Sequence, residues 1–271
     1  MKTLRSISLA AALAATLAAP AAFAGAVHDA GLFTTVLARN DDGSTGSVGI
    51  GFSIHFYGLS AQSTLFVNNN GNVTFTGPLS TFTPFGLLTS TIPIIAPFFA
   101  DVDTRNLGSD VVRYGTGSIG GRSVFGVNWI DVGYYDTHAD KLNSFQLIIT
   151  NRSDIAAGDF DFEFNYDKIQ WETGDASGGS GGFGGSPARA GWTDGGATDY
   201  EFVGSGVTRA FLDAGPNSLI AGSLNSTTAG QYIFRVRSGA VIGGVPEPTS
   251  LALVSLALLG AAVAARKKRA A

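Results

Sequence analysis

The sequence predicts an all-β protein: one antiparallel, β-sandwich-like domain with long loops, flanked by two apolar ends. Three observations carry that prediction. Apolar residues alternate with polar or small ones at period two in several stretches, the signature of half-buried strands. The chain holds 37 glycines, and most acids of its middle part are aspartates, which favour turns over helix interiors. No long stretch between the two ends keeps a 3.6-residue period without a glycine or proline break.

The N-terminal end, residues 1–24, carries Lys2 and Arg5, then an Ala/Leu-rich run, then Ala22-Phe23-Ala24. A basic start, an apolar middle and a small-x-small close, in that order, make a secretory signal peptide with cleavage expected between Ala24 and Gly25. The body is therefore exported. With no cysteine in the chain, packing alone must hold it together, and disulfides, thiolate metal sites and cysteine nucleophiles are excluded.

Val48, Ile50, Phe52, Ile54 and Phe56 alternate with small or polar residues and predict the first long strand. Leu65-Phe66-Val67 and Val73-Thr74-Phe75 flank Asn68-Asn69-Asn70-Gly71-Asn72. Asn-Gly between apolar runs predicts a tight hairpin, since both residues tolerate positive φ. A short helix is expected near 80–88. The run Ile92-Pro93-Ile94-Ile95-Ala96-Pro97-Phe98-Phe99 is apolar on both faces. Its two prolines predict an edge or strongly bent segment rather than a central strand. Phe145, Leu147 and Ile149 alternate with Gln146 and Ile148; Phe160, Phe162, Phe164 and Tyr166 alternate with Asp161, Glu163 and Asn165; Tyr232, Phe234 and Val236 alternate with Ile233 and Arg235. Between these strands the Gly/Ser run at 177–186 has the composition of a flexible surface loop.

The far end mirrors the first. Pro246-Glu247-Pro248 precedes an apolar run, 251–265, and Arg266-Lys267-Lys268-Arg269 follows it. As a helix the run is about 22 Å long, short of the roughly 30 Å hydrocarbon core. The basic cluster belongs on the cytoplasmic side by the positive-inside rule. The two prolines keep the preceding stretch extended, a form that a processing enzyme can read. Residues 25–245 hold 11 of the 17 basic residues and 20 of the 21 acidic ones, so the body is near −9 although the chain totals −4. That balance argues against nucleic-acid binding. It also keeps the body away from anionic surfaces unless a divalent cation bridges them.

The end of the chain resembles the PEP-CTERM sorting signal. Its three parts stand in order as Pro246-Glu247-Pro248, the apolar run and Arg266 to Arg269. The resemblance implies recognition by exosortase, an integral-membrane transpeptidase-like enzyme, after export by the Sec machinery. It also implies a Gram-negative source that makes exopolysaccharide, and transient inner-membrane anchoring through the C-terminal helix.

A second resemblance covers about 58–237. Phe66-Val67-Asn68-Asn69-Asn70-Gly71-Asn72-Val73-Thr74-Phe75 and Ile95-Ala96-Pro97-Phe98-Phe99-Ala100-Asp101-Val102-Asp103 are similar to motifs of the nidogen-like (NIDO) extracellular domain. So are Val127-Asn128-Trp129 with Gly133-Tyr134-Tyr135, Asn143-Ser144-Phe145-Gln146-Leu147, and Phe162-Glu163-Phe164-Asn165-Tyr166 with Ile169-Gln170-Trp171. Ala190-Gly191-Trp192 and Phe234-Arg235-Val236 complete the order. That family is extracellular and non-enzymatic, and occurs in basement-membrane, mucin and tectorin-type matrix proteins. The division expected is a signal peptide at 1–24, a nidogen-like β domain at 25–238, a linker at 239–245 and a sorting signal at 246–271.

Several residues are candidates for chemistry. Asp101 and Asp103 follow an apolar strand and offer the oxygen donors that Ca²⁺ prefers. The competing expectation is a turn in which they pair Arg105 or cap backbone amides. No other metal or cofactor is expected. Glu163 with Glu172, or Asp136 with Asp140, are exposed-face carboxylates for a glycosidase pair, though a solvated strand face explains Glu163 equally. His28, His55 and His138 show no metal-binding spacing, and no Gly-x-Ser-x-Gly occurs. Trp129 and Trp171 sit in strand patterns and belong to the core. Tyr134 and Tyr135, beside Gly133 and Asp136, are the candidates for a surface aromatic pair that stacks on sugars. Asn72, Asn151 and Asn225 head Asn-x-Ser/Thr triplets that carry no weight in a bacterium.

The function expected is that of an exported cell-envelope or matrix protein, not an enzyme. Its role is structural or adhesive in an exopolysaccharide or biofilm matrix, with the polysaccharide or other matrix proteins as partners. The alternatives are a glycan-binding module and, behind it, a secreted hydrolase.

Overall fold

Period two in the sequence becomes strands that bury one side. The computed structural model describes residues 25–56, 58–196 and 198–243. Strands β1 (Thr35–Val36), β2 (Val48–Ile54), β3 (Gln62–Asn68), β4 (Asn72–Thr74) and β5 (Ile94–Phe99) come first. Then follow β6 (Val102–Asp103), β7 (Arg113–Ile119), β8 (Arg122–Tyr134), β9 (His138–Asn151) and β10 (Phe160–Lys168). The last are β11 (Arg189–Thr193), β12 (Asp199–Glu201), β13 (Gln231–Arg237) and β14 (Ala240–Ile242). They form two antiparallel sheets. The larger runs β1-β7-β8-β9-β10-β13-β14, with β6 also paired to β8; the smaller runs β12-β11-β5-β4-β3-β2. Among the described residues the only helical pieces are three-residue 3₁₀ turns, so the predicted all-β class holds.

The two sheets pack face to face over one apolar core. The larger sheet contributes the residues that the alternation put on one side: Phe145, Leu147 and Ile149 from β9, Phe160, Phe162 and Phe164 from β10, and Phe234 and Val236 from β13. The smaller sheet supplies Leu65, Val67, Val73, Ile95, Phe98 and Trp192. Aromatic rings join the layers: Phe98 of the smaller sheet lies 5.3 Å from Phe145 of the larger and 5.8 Å from Trp171, and within the larger sheet Trp129 stacks on Phe145 at 5.2 Å. Trp129 and Trp171 are fully buried, as expected of strand-pattern residues.

The proline run is corrected. Strand β5 is central, between β4 and β11, and all six of its residues are buried. Pro93 falls outside the strand. Pro97 sits where the pairing with β11 slips between Phe99↔Arg189 and Ala96↔Gly191, a bulge in which its missing N–H costs no ladder bond. Both faces are apolar because both are covered. Ile95 and Phe98 face the main core, while Ile94, Ala96 and Phe99 pack under Leu79 and Leu87 from the 76–93 connection. The helix expected at 80–88 is absent. Irregular chain runs there, with Pro84 and Gly86 interrupting it, and only Leu87–Thr89 makes a 3₁₀ turn.

The glycine-rich stretch 177–186 is also corrected, from a flexible loop to a pinned one. Gly182 accepts from the backbone N–H groups of Glu172 and Thr173, and the Ser186 N–H donates to Ser177. A Cβ at Gly182 would lie 2.9 Å from Trp171 Cβ, so the glycine lets the loop lie against the tryptophan.

The outer face of the larger sheet is covered by the start of the described chain. Phe33 packs on Val124 and Ile148. Gly126 makes the space, since a Cβ there would stand 2.0 Å from the Phe33 ring. Beside it the His28 N–H donates to Gln146 Oε1 (3.0 Å), Asn128 Nδ2 donates to the Ala30 carbonyl (2.9 Å), and His28 Nε2 meets Glu163 Oε2 at 3.1 Å. The hydrogen bond with Glu163 raises the His28 pKa above its usual 6.5, against an opposing effect of burial. A raised histidine pKa stabilises the fold below the unfolded value, and that contribution is lost as pH climbs through the folded value. The stability difference between the natural protein and H28Q, measured by urea unfolding, is therefore expected to be largest below pH 6 and to shrink towards pH 8. A difference independent of pH contradicts the pairing.

Candidate functional site

At one end of the sandwich the predicted asparagine hairpin folds inward. Asn69, Asn70 and Gly71 turn the chain between β3 and β4, and Gly71 adopts φ +72°. Asn68, Asn69, Asn70 and Asn72 are each at most 1% exposed, so every amide needs a partner inside the protein. Asn68 Nδ2 donates to Asn72 Oδ1 (2.7 Å) and Thr74 Oγ1 (3.1 Å). Asn69 Nδ2 donates to the carbonyls of Asp41 and Val102. Asn70 Nδ2 donates to Asp42 Oδ1 (2.9 Å), and Asn70 Oδ1 accepts from the Val102 N–H (3.0 Å). Trp129 Nε1 donates to the Asn69 carbonyl (3.0 Å) from the larger sheet.

The hairpin thus gathers two segments far apart in sequence. One is 39–45, fastened by Arg39, whose Nη1 donates to the carbonyls of Thr104, Asn106 and Ser109 at 2.7–2.8 Å. The Asn69 N–H donates to the Gly43 carbonyl (2.9 Å), and Ser44 Oγ donates to Asn68 Oδ1 (2.7 Å). The other is 100–105, which leaves β5 and enters β6. Carboxylate oxygens of Asp41, Asp42 and Asp101 converge there, all within 4.8 Å of one another.

The four acids nearby divide into two kinds. Asp103 is fully engaged: its carboxylate accepts from Arg105 Nε (2.9 Å) and the backbone N–H groups of Arg105 and Thr137 (both 2.9 Å). Burial pushes its pKa up, but the Arg105 and backbone hydrogen bonds outweigh that and hold it below the usual value. Asp101 is different. It is 1% exposed, and its Oδ2 has no hydrogen-bond partner. Burial first, then the charges of Asp41, Asp42 and Asp103, push it up to about 7. Burial and the charges of Asp103 and Asp42 likewise push Asp41 up to about 6, with Arg105 opposing. Asp41 Oδ2 meets Arg105 Nη2 at 3.1 Å, while its Oδ1 is buried without a partner. The wall opposite is Gly174, where a Cβ would stand 2.4 Å from Asp101 Oδ2.

Thus Asp101 and Asp103, expected together, separate by role: Asp103 makes the Arg105-paired turn, and Asp101 turns to Asp41 and Asp42. Sequence reasoning missed those two, and the only local signal was an Asp-Asp pair before Gly43. The expected surface aromatic pair is corrected. Tyr134 is buried, 5.4 Å from the Trp171 ring and 4.7 Å from His138, and its hydroxyl donates to Asp140 Oδ1 (2.8 Å). Only Tyr135 is partly open, with the Arg105 guanidinium 5.5 Å from its ring centroid.

Glu172, expected on an exposed face, is buried and accepts from the Arg209 N–H; burial raises its pKa. Glu163 lies on the outer face of β10, tied to His28 and to Gln231 Nε2 (2.9 Å). Asp136 lies 3.6 Å from Arg105, whereas Asp140 pairs with Lys141. The histidines stand apart in separate contacts: His28 with Glu163, His138 with Asp175 (3.2 Å), and His55 beside Gly158. Asn72 is buried, which removes the first of the three triplets from any modifying enzyme. The cleavage site at Ala24, the residues Pro246, Glu247 and Pro248, and Arg266, Lys267, Lys268 and Arg269 lie outside the described residues, as does the apolar run 251–265. Among the described residues no helix is long and apolar enough to cross a membrane.

Comparison with known proteins supplies the family. The model of the nidogen-like domain matches residues 63–118 and 115–238. The chain belongs to the nidogen-like domain family. The PEP-CTERM protein-sorting motif matches residues 244–269. Alpha-tectorin of Mus musculus is 30% identical over 220 residues, 72% of this chain and 10% of the relative. The Homo sapiens alpha-tectorin gives the same figures. Nidogen of Drosophila melanogaster is 31% identical over 120 residues, 35% of this chain and 9% of the relative. The nidogen-like chain therefore spans about a tenth of the length of the curated relatives it matches. No solved structure matches it. This is an extracellular nidogen-like domain carrying a PEP-CTERM sorting signal.

The hairpin leaves no space at Gly71: a Cβ there would stand 1.8 Å from the Phe98 carbonyl oxygen. G71A is expected to lower stability by about 3 kcal/mol, from overpacking and positive φ together. At Gly120, also at positive φ but with nothing within 4 Å, the alanine variant should cost only about 1 kcal/mol. Urea midpoints of the two variants check the ordering; equal costs contradict it.

Proposed function

We propose that the protein is an exported, non-enzymatic matrix module, released at the cell surface by exosortase and retained there in a structural or adhesive role. The observation that carries this reading is the joining, on one chain, of a nidogen-like domain over 63–238 and a PEP-CTERM motif over 244–269. The first is a folded, disulfide-free module that needs no reducing or oxidising partner. The second addresses it to a membrane-bound processing enzyme. An acidic body of this kind is attracted to an anionic exopolysaccharide only through a bridging cation, so exopolysaccharide and other matrix proteins are the partners proposed, in a Gram-negative envelope.

The side chains favour this reading over hydrolysis. A glycosidase needs two free carboxylates about 5–10 Å apart across a sugar cleft. Glu172 is buried against a backbone N–H, and Glu163 is tied to His28 and Gln231. The glycan-binding alternative loses Tyr134 to the core.

Intact mass of the protein recovered from its native host tests the route. Loss of residues 1–24, with a new C-terminus near 246–248, is expected. A mature protein that keeps Arg266 to Arg269 means plain anchoring and contradicts exosortase release. Fractionation of the same culture should place the processed form in the surface or matrix fraction; recovery in the cytoplasm overturns the reading.

A further inference from the structure

We propose that Asp41, Asp42 and Asp101 form a Ca²⁺ site that ties the 39–45 segment to the start of β6. Three observations carry it. The first is convergence: one carboxylate oxygen from each residue lies within 4.8 Å of the others. Oxygens bound at 2.3–2.6 Å to one Ca²⁺ stand up to about 5 Å apart, so all three can reach one ion, whereas Mg²⁺ demands near-ideal octahedral geometry and keeps several waters rather than entering a cage of protein oxygens.

The second is an orphaned ligand. Asp101 is 1% exposed, brings a carboxylate oxygen within 4.8 Å of those of the other two acids, and leaves Oδ2 without a partner. A buried carboxylate with no cation is strongly disfavoured, so such groups are normally paired or bind metal. The neighbouring cation does not fill this need, because Arg105 is committed to Asp103 through Nε and to Asp41 through Nη2. A second orphan, Asn69 Oδ1, is fully buried on the amide that clasps the Asp41 and Val102 carbonyls.

The third is preorganisation. The ligand-bearing backbones are held before any ion arrives: 39–45 by Arg39 and the Gly43 carbonyl, and Val102 by Asn70. Asn70 also orients Asp42 directly, through Nδ2 to Oδ1. Gly174 leaves room beside Asp101 that a side chain would close. Oxygen-only donors on a rigid frame suit a hard divalent ion, and a site of this charge on an exported module belongs to the class with dissociation constants of about 10⁻⁴–10⁻³ M.

Calorimetric titration of the mature exported protein with CaCl₂ and, separately, MgCl₂ tests the site, alongside D101N and the exposed control D167N. One saturable Ca²⁺ equivalent is expected, with at least tenfold weaker Mg²⁺ binding. D101N should weaken Ca²⁺ binding at least tenfold and D167N should leave it unchanged. Thermal unfolding in chelator guards against misfolding: D101N should melt no lower than the natural protein, because the substitution removes repulsion, yet gain nothing from added Ca²⁺. Absence of saturable Ca²⁺ binding, or binding unaltered in D101N, overturns the site. Equal affinity for Mg²⁺ overturns its assignment to calcium.

Discussion

The inward asparagine hairpin is the constraint on which the rest of this end of the molecule depends. A turn buried between two sheets must satisfy its own amides, because water does not reach them. Here Asn68 closes the β3–β4 pair from the side, Asn69 and Asn70 reach out to the 39–45 and 100–105 segments, and Trp129 Nε1 caps the Asn69 carbonyl. Only glycine fits at Gly71, where the Phe98 carbonyl closes on the turn. One hairpin therefore links both sheets and two distant loops. Losing one amide leaves a buried partner unsatisfied, which costs more than the bond itself contributed.

That arrangement fixes an electrostatic imbalance. Asp103 is neutralised where it stands by Arg105 and two backbone donors. Asp41 and Asp101 are not matched to the same degree, and both are pushed towards neutrality by burial and by neighbouring carboxylates. The hairpin holds these carboxylates together although they repel. A frame that stiff is what allows an exported, cysteine-free domain to keep charged groups close without a disulfide.

Much of the fold was legible in the sequence because it is set by local alternation. β9, β10 and β13 bury the residues that the period-two pattern assigned to one side. The Asn-Gly hairpin was legible for the same local reason. Where the reading failed, distant packing decided. β5 takes a central place because Pro97 sits in a bulge and a separate apolar layer covers its outer face. The 177–186 stretch has the composition of a flexible loop, yet Gly182 serves close approach to Trp171. Tyr134 looked like a surface residue because Gly133 and Asp136 flank it, but the register of β8 shifts between Trp129 and Val132, and both Val132 and Tyr134 join the core. The acidic cluster was half legible: Asp101 stood out after an apolar strand, whereas Asp41 and Asp42 reach it only through the fold.

The family membership, the sorting motif and this end of the molecule make one picture: an extracellular nidogen-like domain whose charged end is set by backbone architecture. The hairpin's central place is tested most directly by native-state hydrogen exchange of the Trp129 indole and of the Gly71 and Phe98 amides. If the hairpin holds this end together, all three exchange only through global unfolding, with protection equal to the full stability of the protein. Exchange through a local opening far cheaper than global unfolding, with the sheets still protected, would contradict it.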